Sequence, residues 1–171
     1  SDWLKRVERT GFEKGLFSEW RDEPDFVLNR EEHAGATILV AGPNFGTGSS
    51  REHAVWAIQQ YGFRAVVSPR FGPIFVNNAT NCGLVPVVVD TELGERLLRE
   101  IEADPTLELT VDIDRRTLEV PALGITAEFP LSDSIRHRLL NGLDDIGVTL
   151  THADDITGYE TSRPAWLPTT A

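Results

Sequence analysis

Gly42-Pro43-Asn44-Phe45-Gly46-Thr47-Gly48-Ser49-Ser50-Arg51-Glu52-His53-Ala54 reads as a strand-to-helix turn. Before it, Thr37 to Ala41 is an apolar run long enough for one buried strand. After it, Ala54, Ala57, Ile58 and Tyr61 recur at i, i+3, i+4 and i+7, the spacing of one helix face. Three glycines within residues 42–48 suit a turn that needs positive φ and close backbone approach. Ser49 and Glu52 have the spacing of a capping box, so the helix is expected to start at Ser49 or Ser50. Two roles are open for the serine pair: a plain cap, or a helix N-terminus whose free N–H groups and dipole face an anion. Arg51 bears on the second role, because a cation in the first turn opposes the dipole unless a carboxylate or phosphate meets it.

Working outward, Ala65-Val66-Val67-Ser68 is a second buried strand ended by Pro69. Phe71 to Asn81 is a short helix closed by Gly83, and Leu84 to Val89 is a third strand whose Pro86 belongs near an edge or a bulge. Strand, helix, strand, helix, strand implies right-handed parallel crossovers. Upstream, Glu13 to Trp20 has an amphipathic helical pattern with Leu16, Phe17 and Trp20 on one face, and Pro24 to Asn29 resembles a helical turn. Downstream the style changes. Leu93, Leu97, Leu98 and Ile101 mark a helix stopped by Asp104-Pro105, and Leu107, Leu109, Val111 and Ile113 alternate as a half-buried strand. Thr117–Val120 and Ile125–Phe129 complete an antiparallel meander. Helices are expected at Asp133–Leu140 and about Asp144–Tyr159, with an extended Pro-rich tail over residues 162–171. The fold class expected is one α/β domain spanning residues 1–171, with both parallel and antiparallel sheet.

Composition narrows the function classes. A net charge of −11 argues against nucleic acid and anionic membrane as partners, so an anionic substrate must be met by a local basic cluster. No run approaches the 18 apolar residues of a membrane span. The single cysteine, Cys82, excludes an internal disulfide, a self-contained iron–sulfur centre and a Cys-rich zinc site, and fits a reducing, cytoplasmic setting. The chain holds no Met, so it is expected to begin after its natural start. Leu4-Lys5-Arg6-Val7-Glu8-Arg9 is basic within an acidic protein, as a solvated face or as an anion-reading loop.

Familiar site patterns fail on the glycine turn. A phosphate-binding P-loop needs Gly-Lys-Ser/Thr where Gly48-Ser49 stands, and a dinucleotide fingerprint needs glycine where Arg51 stands. A nucleophile elbow needs glycine two residues after the serine, where Arg51 and Glu52 stand. His53, one helix turn from the serines, is better suited to packing than to acting as their base, and His33, His137 and His152 show no metal spacing. The survivor is a serine pair plus an arginine at a helix start.

That survivor resembles the signature of the aconitase-superfamily swivelling domain over Asn44–Ala54, and the longer match is to the small subunits of isopropylmalate dehydratases. Leu4–Phe12, Arg70–Asn78, Gly142–Ile146 and Arg163-Pro164-Ala165-Trp166 carry the same resemblance. The family's Asp-x-Asp-x-Ile-x-Pro element lies upstream of where this chain starts. The resemblance implies a three-layer β/β/α fold and a hydro-lyase of leucine biosynthesis, active only with its large subunit, that interconverts 2- and 3-isopropylmalate. It implies a [4Fe–4S] cluster on that large subunit and no cofactor on this chain. It further implies Ser49 as the base, Ser50 and Arg51 as substrate ligands, and a recognition loop over residues 1–12 in which Lys5, Arg6 and Arg9 read the substrate. Homoaconitase or citraconate-hydratase small subunits are the neighbouring alternatives. A non-catalytic anion-binding module and a serine hydrolase are the alternatives outside the family, the latter lacking a placed base.

Overall fold

The computed structural model describes residues 10–48, 51–164 and 166. The N-terminal region is a chain of short turns rather than one amphipathic helix. A 3₁₀ turn over Phe12–Gly15 is followed by Leu16 in an extended conformation and Phe17 at φ +50°, and only then by α1 (Ser18–Arg21). Positive φ at Phe17 breaks the periodicity that Leu16, Phe17 and Trp20 display, so Leu16 is buried while Trp20 stays exposed. Two more 3₁₀ turns, Val27–Asn29 and Glu31–His33, lead to the first strand.

A parallel sheet follows, in the order β1 (Ile38–Val40), β2 (Ala65–Ser68), β3 (Val85–Val88). Its crossovers are α2 (His53–Tyr61) and α3 (Pro73–Cys82), the second opening on Pro73 and closing on Gly83 at φ +81°. Ile38 pairs with Ala65 and Val66 with Pro86, and Pro86 is tolerated because β3 is an outer strand. After α4 (Thr91–Ala103), capped by the Asp90 side chain accepting from Leu93 N at 2.7 Å, the chain builds a second sheet. It is an antiparallel meander of β4 (Thr110–Asp112), β5 (Thr117–Val120) and β6 (Ile125–Glu128). The parallel and antiparallel parts are two three-stranded sheets. The alternation from Leu107 to Ile113 overstates the strand: only 110–112 pair with β5.

The remaining helices are α5 (Asp133–Asn141), α6 (Asp145–Leu150) and α7 (Ala153–Ser162). The helix expected over 144–159 is broken at Thr151 and His152; Ser162, expected to open the extended tail, closes α7, and residues 165 and 167–171 lie outside the described residues.

Alternation along the parallel strands sorts their side chains into two cores. Val66 and Leu39 face Phe12, Val55, Ile58, Phe71 and Phe75 on the side of α2 and α3. Ala65, Val67, Val85 and Val87 face Leu97, Leu118, Val120 and Phe129 on the side of α4 and the meander. The parallel sheet is the middle layer of a β/β/α arrangement.

Candidate active-site turn

The glycine turn leaves the C-terminal end of β1, the edge at which open α/β sheets bind ligands. The neighbouring strand holds it there. Ala41 N donates to Val67 O at 2.9 Å, extending the β1–β2 register by one residue. Ser68, fully buried at the end of β2, has its hydroxyl 2.8 Å from Gly42 O and 2.9 Å from Arg70 O, and accepts from Arg70 N at 3.3 Å. Further along, Phe45 N donates to Arg70 O at 3.0 Å and Gly72 N to Phe45 O at 2.8 Å, a single parallel bridge between Phe45 and Phe71. Asn44, at φ +67°, accepts from Arg70 Nε at 2.6 Å through Oδ1 and from the Thr47 hydroxyl at 3.0 Å through its carbonyl.

Only one of the three glycines carries the conformational demand. Gly46 has φ +73°, and a Cβ there would lie 2.3 Å from Cγ of Phe75. Gly42 and Gly48 have no atom within 4 Å of a built Cβ and no positive φ. Gly46 sits where Phe45, Phe71 and Phe75 converge, with Phe45 edge-on to Phe75 at 5.4 Å and Phe71 stacked on it at 5.9 Å. A Cβ on Gly72 would in turn lie 2.7 Å from Gly46 O.

The sequence-derived site residues fall unevenly on this frame. Lys5, Arg6, Arg9, Ser49 and Ser50 lie outside the described residues. Arg51 is described: it is exposed, in a bend two residues ahead of α2, and its carbonyl accepts from Ala54 N at 3.2 Å. The helix begins at His53 rather than at Ser49 or Ser50, with Glu52 in the N-cap position and making no side-chain cap. The Glu52 carboxylate instead accepts from the Cys82 thiol of α3 at 3.6 Å. Burial pushes the Cys82 thiol up from its ordinary value, the neighbouring Glu52 carboxylate adds to this, and a hydrogen bond with Trp56 opposes it. His53 packs, as its position on the helix implies: its ring centroid lies 5.0 Å from that of Phe12 and 5.0 Å from that of Trp56.

Sequence reading missed Arg70 and Ser68. Both lie at the end of β2, beside the β1 turn in a parallel sheet, and that adjacency is the signal that would have found them. A cavity of about 660 Å³ opens beside the turn, walled by residues 42–48, by Ala54, Ala57 and Ile58 of α2, and by Leu16, Phe17 and Phe26. A larger hollow of about 780 Å³ lies against the meander at Arg116, Pro130 and Arg136, whose guanidinium groups are paired with Asp133 and Asp114. It is open and shares no residue with the glycine turn, so the smaller cavity is the one relevant here.

Metal chemistry finds no donor set among the described residues: no group of three or more His, Cys, Asp and Glu is placed to hold an ion. Cys82 is the chain's one cysteine, whereas an iron–sulfur cluster is held by several thiolates. No helix among the described residues is long and apolar enough to cross a membrane.

The aconitase C-terminal domain model matches residues 3–92, and the model for the C-terminal domain of the 3-isopropylmalate dehydratase small subunit matches residues 145–171. The 3-isopropylmalate dehydratase small subunit of Parafrankia sp. is 63% identical over all of this chain and 87% of its own length. That of Rubrobacter xylanophilus is 54% identical over 98% of this chain and 85% of its own length. Among solved structures, the 3-isopropylmalate dehydratase of Methanocaldococcus jannaschii superposes with a TM-score of 0.58 at 24% identity, covering 94% of this chain and 87% of that one, a likeness of fold.

Proposed function

Because the chain belongs to the family of 3-isopropylmalate dehydratase small subunits, we propose that it completes the active site of a hydro-lyase of leucine biosynthesis in the cytoplasm. The reaction interconverts 2- and 3-isopropylmalate by loss and return of water. The observation that carries the reading is the clamped glycine turn at the C-terminal edge of the parallel sheet, with Arg51 between that turn and α2.

In this reading Ser49, as an alkoxide, takes the proton from the carbon next to the hydroxyl-bearing one. The C–H electron pair forms the C=C bond as hydroxide departs and takes up a proton to leave as water; on rehydration the hydroxyl adds to the neighbouring carbon and Ser49 returns its proton to the other. An unassisted serine is far too weak an acid for that role, so its negative form needs electrostatic support. The positive end of the α2 dipole and the Arg51 guanidinium supply it. Arg51 also engages a substrate carboxylate through its planar fork, with Ser50 beside it. Lys5, Arg6 and Arg9 read the rest of the substrate. The cavity beside residues 42–48, walled by Leu16 and Phe17, offers an apolar surface for the substrate's alkyl group. In this reading the [4Fe–4S] cluster is held by the large subunit, because a cluster takes several thiolates and this chain has one cysteine.

Kinetics with the purified large subunit test this. Ser49→Ala is expected to lower kcat by about 10³-fold or more while changing KM little, the loss typical of removing a catalytic base or its equivalent. Arg51→Lys is expected chiefly to raise KM, because a point charge replaces a bidentate fork. Near-normal kcat in Ser49→Ala would reduce Ser49 to a structural residue and overturn the assignment.

A further inference from the structure

At the far end of the chain, α6 and α7 have an arrangement that nothing within the described residues accounts for. No residue of either helix is buried, and every position from 149 to 162 is exposed. Helices of six and ten residues are not stable in water on their own propensity. Their large apolar side chains point outward. Ile146 and Leu150, one turn apart on α6, are 69% and 64% exposed, and Tyr159 on α7 is 66% exposed beside Ile156. Trp166 just beyond is 80% exposed. Ile146 with Leu150 on α6, and Ile156 with Tyr159 on α7, each put two exposed apolar side chains within one turn of each other, the kind of feature an interaction surface uses.

The pair is rooted, not loose. Asp144 caps α6 by accepting from Gly147 N at 2.6 Å, and Asp145 forms an ion pair with Arg138 of α5 at 2.9 Å. The rooted arm is also acidic: Asp144, Asp145, Asp154, Asp155 and Glu160 lie between residues 144 and 162, with no Lys or Arg among them. A second copy of this chain would oppose like charge to like charge, which disfavours self-pairing through this face. A partner with basic side chains around an apolar groove complements it. The segment also has a family description of its own, matching residues 145–171 and named for the small subunit.

We propose that α6 and α7 are the docking arm for the large subunit, seating Ile146, Leu150, Ile156 and Tyr159 in an apolar groove rimmed by Lys and Arg. This rests on the reading of the chain as a small subunit. The arm then holds the two chains together through a surface separate from the glycine turn.

The test is the dissociation constant between the full chain and the purified large subunit, measured by titration calorimetry at two salt concentrations. Ile146→Asp/Leu150→Asp is expected to weaken binding by about 100-fold or more, as for the loss of central apolar anchors. Asp154→Lys/Asp155→Lys is expected to weaken it and to flatten its salt dependence. The apolar variant should keep the wild-type circular dichroism and thermal midpoint, since its side chains touch no core; the charge variant also loses the His152–Asp155 contact at 3.6 Å and two acidic residues in the first turn of α7, so it is read only where circular dichroism shows the wild-type helix content. If the first variant loses its fold, Ile156→Asp/Tyr159→Asp interrogates the α7 half of the arm. Binding within threefold of wild type in the folded apolar variants would overturn the proposal alone. A wild-type dimer of this chain that those variants abolish would overturn the choice of occupant. A wild-type chain that binds no large subunit would overturn the functional reading and the docking arm with it.

Discussion

Gly46→Ala is the sharpest single perturbation available. The backbone at Gly46 has φ +73°, and left-handed backbone costs an L-residue about 1–2 kcal/mol. The new methyl would also lie 2.3 Å from Cγ and 2.6 Å from Cβ of Phe75, a fully buried ring stacked on Phe71. These atoms are the root of a packed side chain, not its flexible end, so they cannot step aside cheaply. Overpacking of this type costs roughly 1–3 kcal/mol, giving about 2–5 kcal/mol in all. For a chain of this size that corresponds to a fall in Tm of about 4–20 °C, read by far-UV circular dichroism on the purified chain. Gly42→Ala is the matched control, with nothing within 4 Å and no positive φ, and should shift Tm by less than about 2 °C. A Gly46→Ala chain melting within a degree of wild type, or a Gly42→Ala chain equally destabilised, would refute the clamped-turn geometry.

Two further outcomes follow from the same structure. Ser68→Ala should cost about 1–3 kcal/mol, because Arg70 N loses its acceptor and Gly42 O its donor in a fully buried setting, and differential unfolding in urea at unchanged m-value would measure it. Asp112 is held below the usual carboxylate range, first by the backbone N–H of Arg115 and then by its guanidinium, so the tie is present at neutral pH and lost as pH falls through the lowered folded value. An NMR titration should show the β4–β5 turn releasing only below the pKa of a free aspartate. Release near the free value would contradict the pairing.

Much of the fold was legible because periodicity reports burial on one or two faces. Ala65–Ser68, buried throughout, reads as a middle strand, and Asp133–Asn141 with Gly142 reads as a capped helix. The failures have specific causes. Phe17 adopts a positive φ that propensity does not foresee, which splits one expected helix into two turns. Leu107 and Leu109 alternate like a strand, yet they pack against the second core before any ladder partner lies beside them. Glu52 obeys the capping-box spacing, but its carboxylate finds Cys82, which is near it only through the packing of α2 beside α3. In the site, Arg51 was expected in the first helical turn, but α2 starts at His53, so it precedes the N-cap Glu52 and the dipole conflict that drew attention to it is absent. Arg70 was not legible, because its partner Asn44 lies 26 residues away and the parallel pairing of β1 and β2 is what unites them.

The middle sheet has a consequence for how the molecule comes apart. Its strands supply Val66 to the core under the glycine turn and Val67, one residue on, to the core under the meander. Neither core can open without exposing a wall of the other. The meander cannot persist alone, since Leu118 and Val120 have no other surface to cover them. Unfolding should therefore be cooperative, with amides of β5 and β2 exchanging at the same global free energy. Leu118 sits in a layer that contributes nothing to the turn, yet it governs the fraction of molecules in which the turn exists. Mutations that silence this protein need not lie anywhere near Arg51.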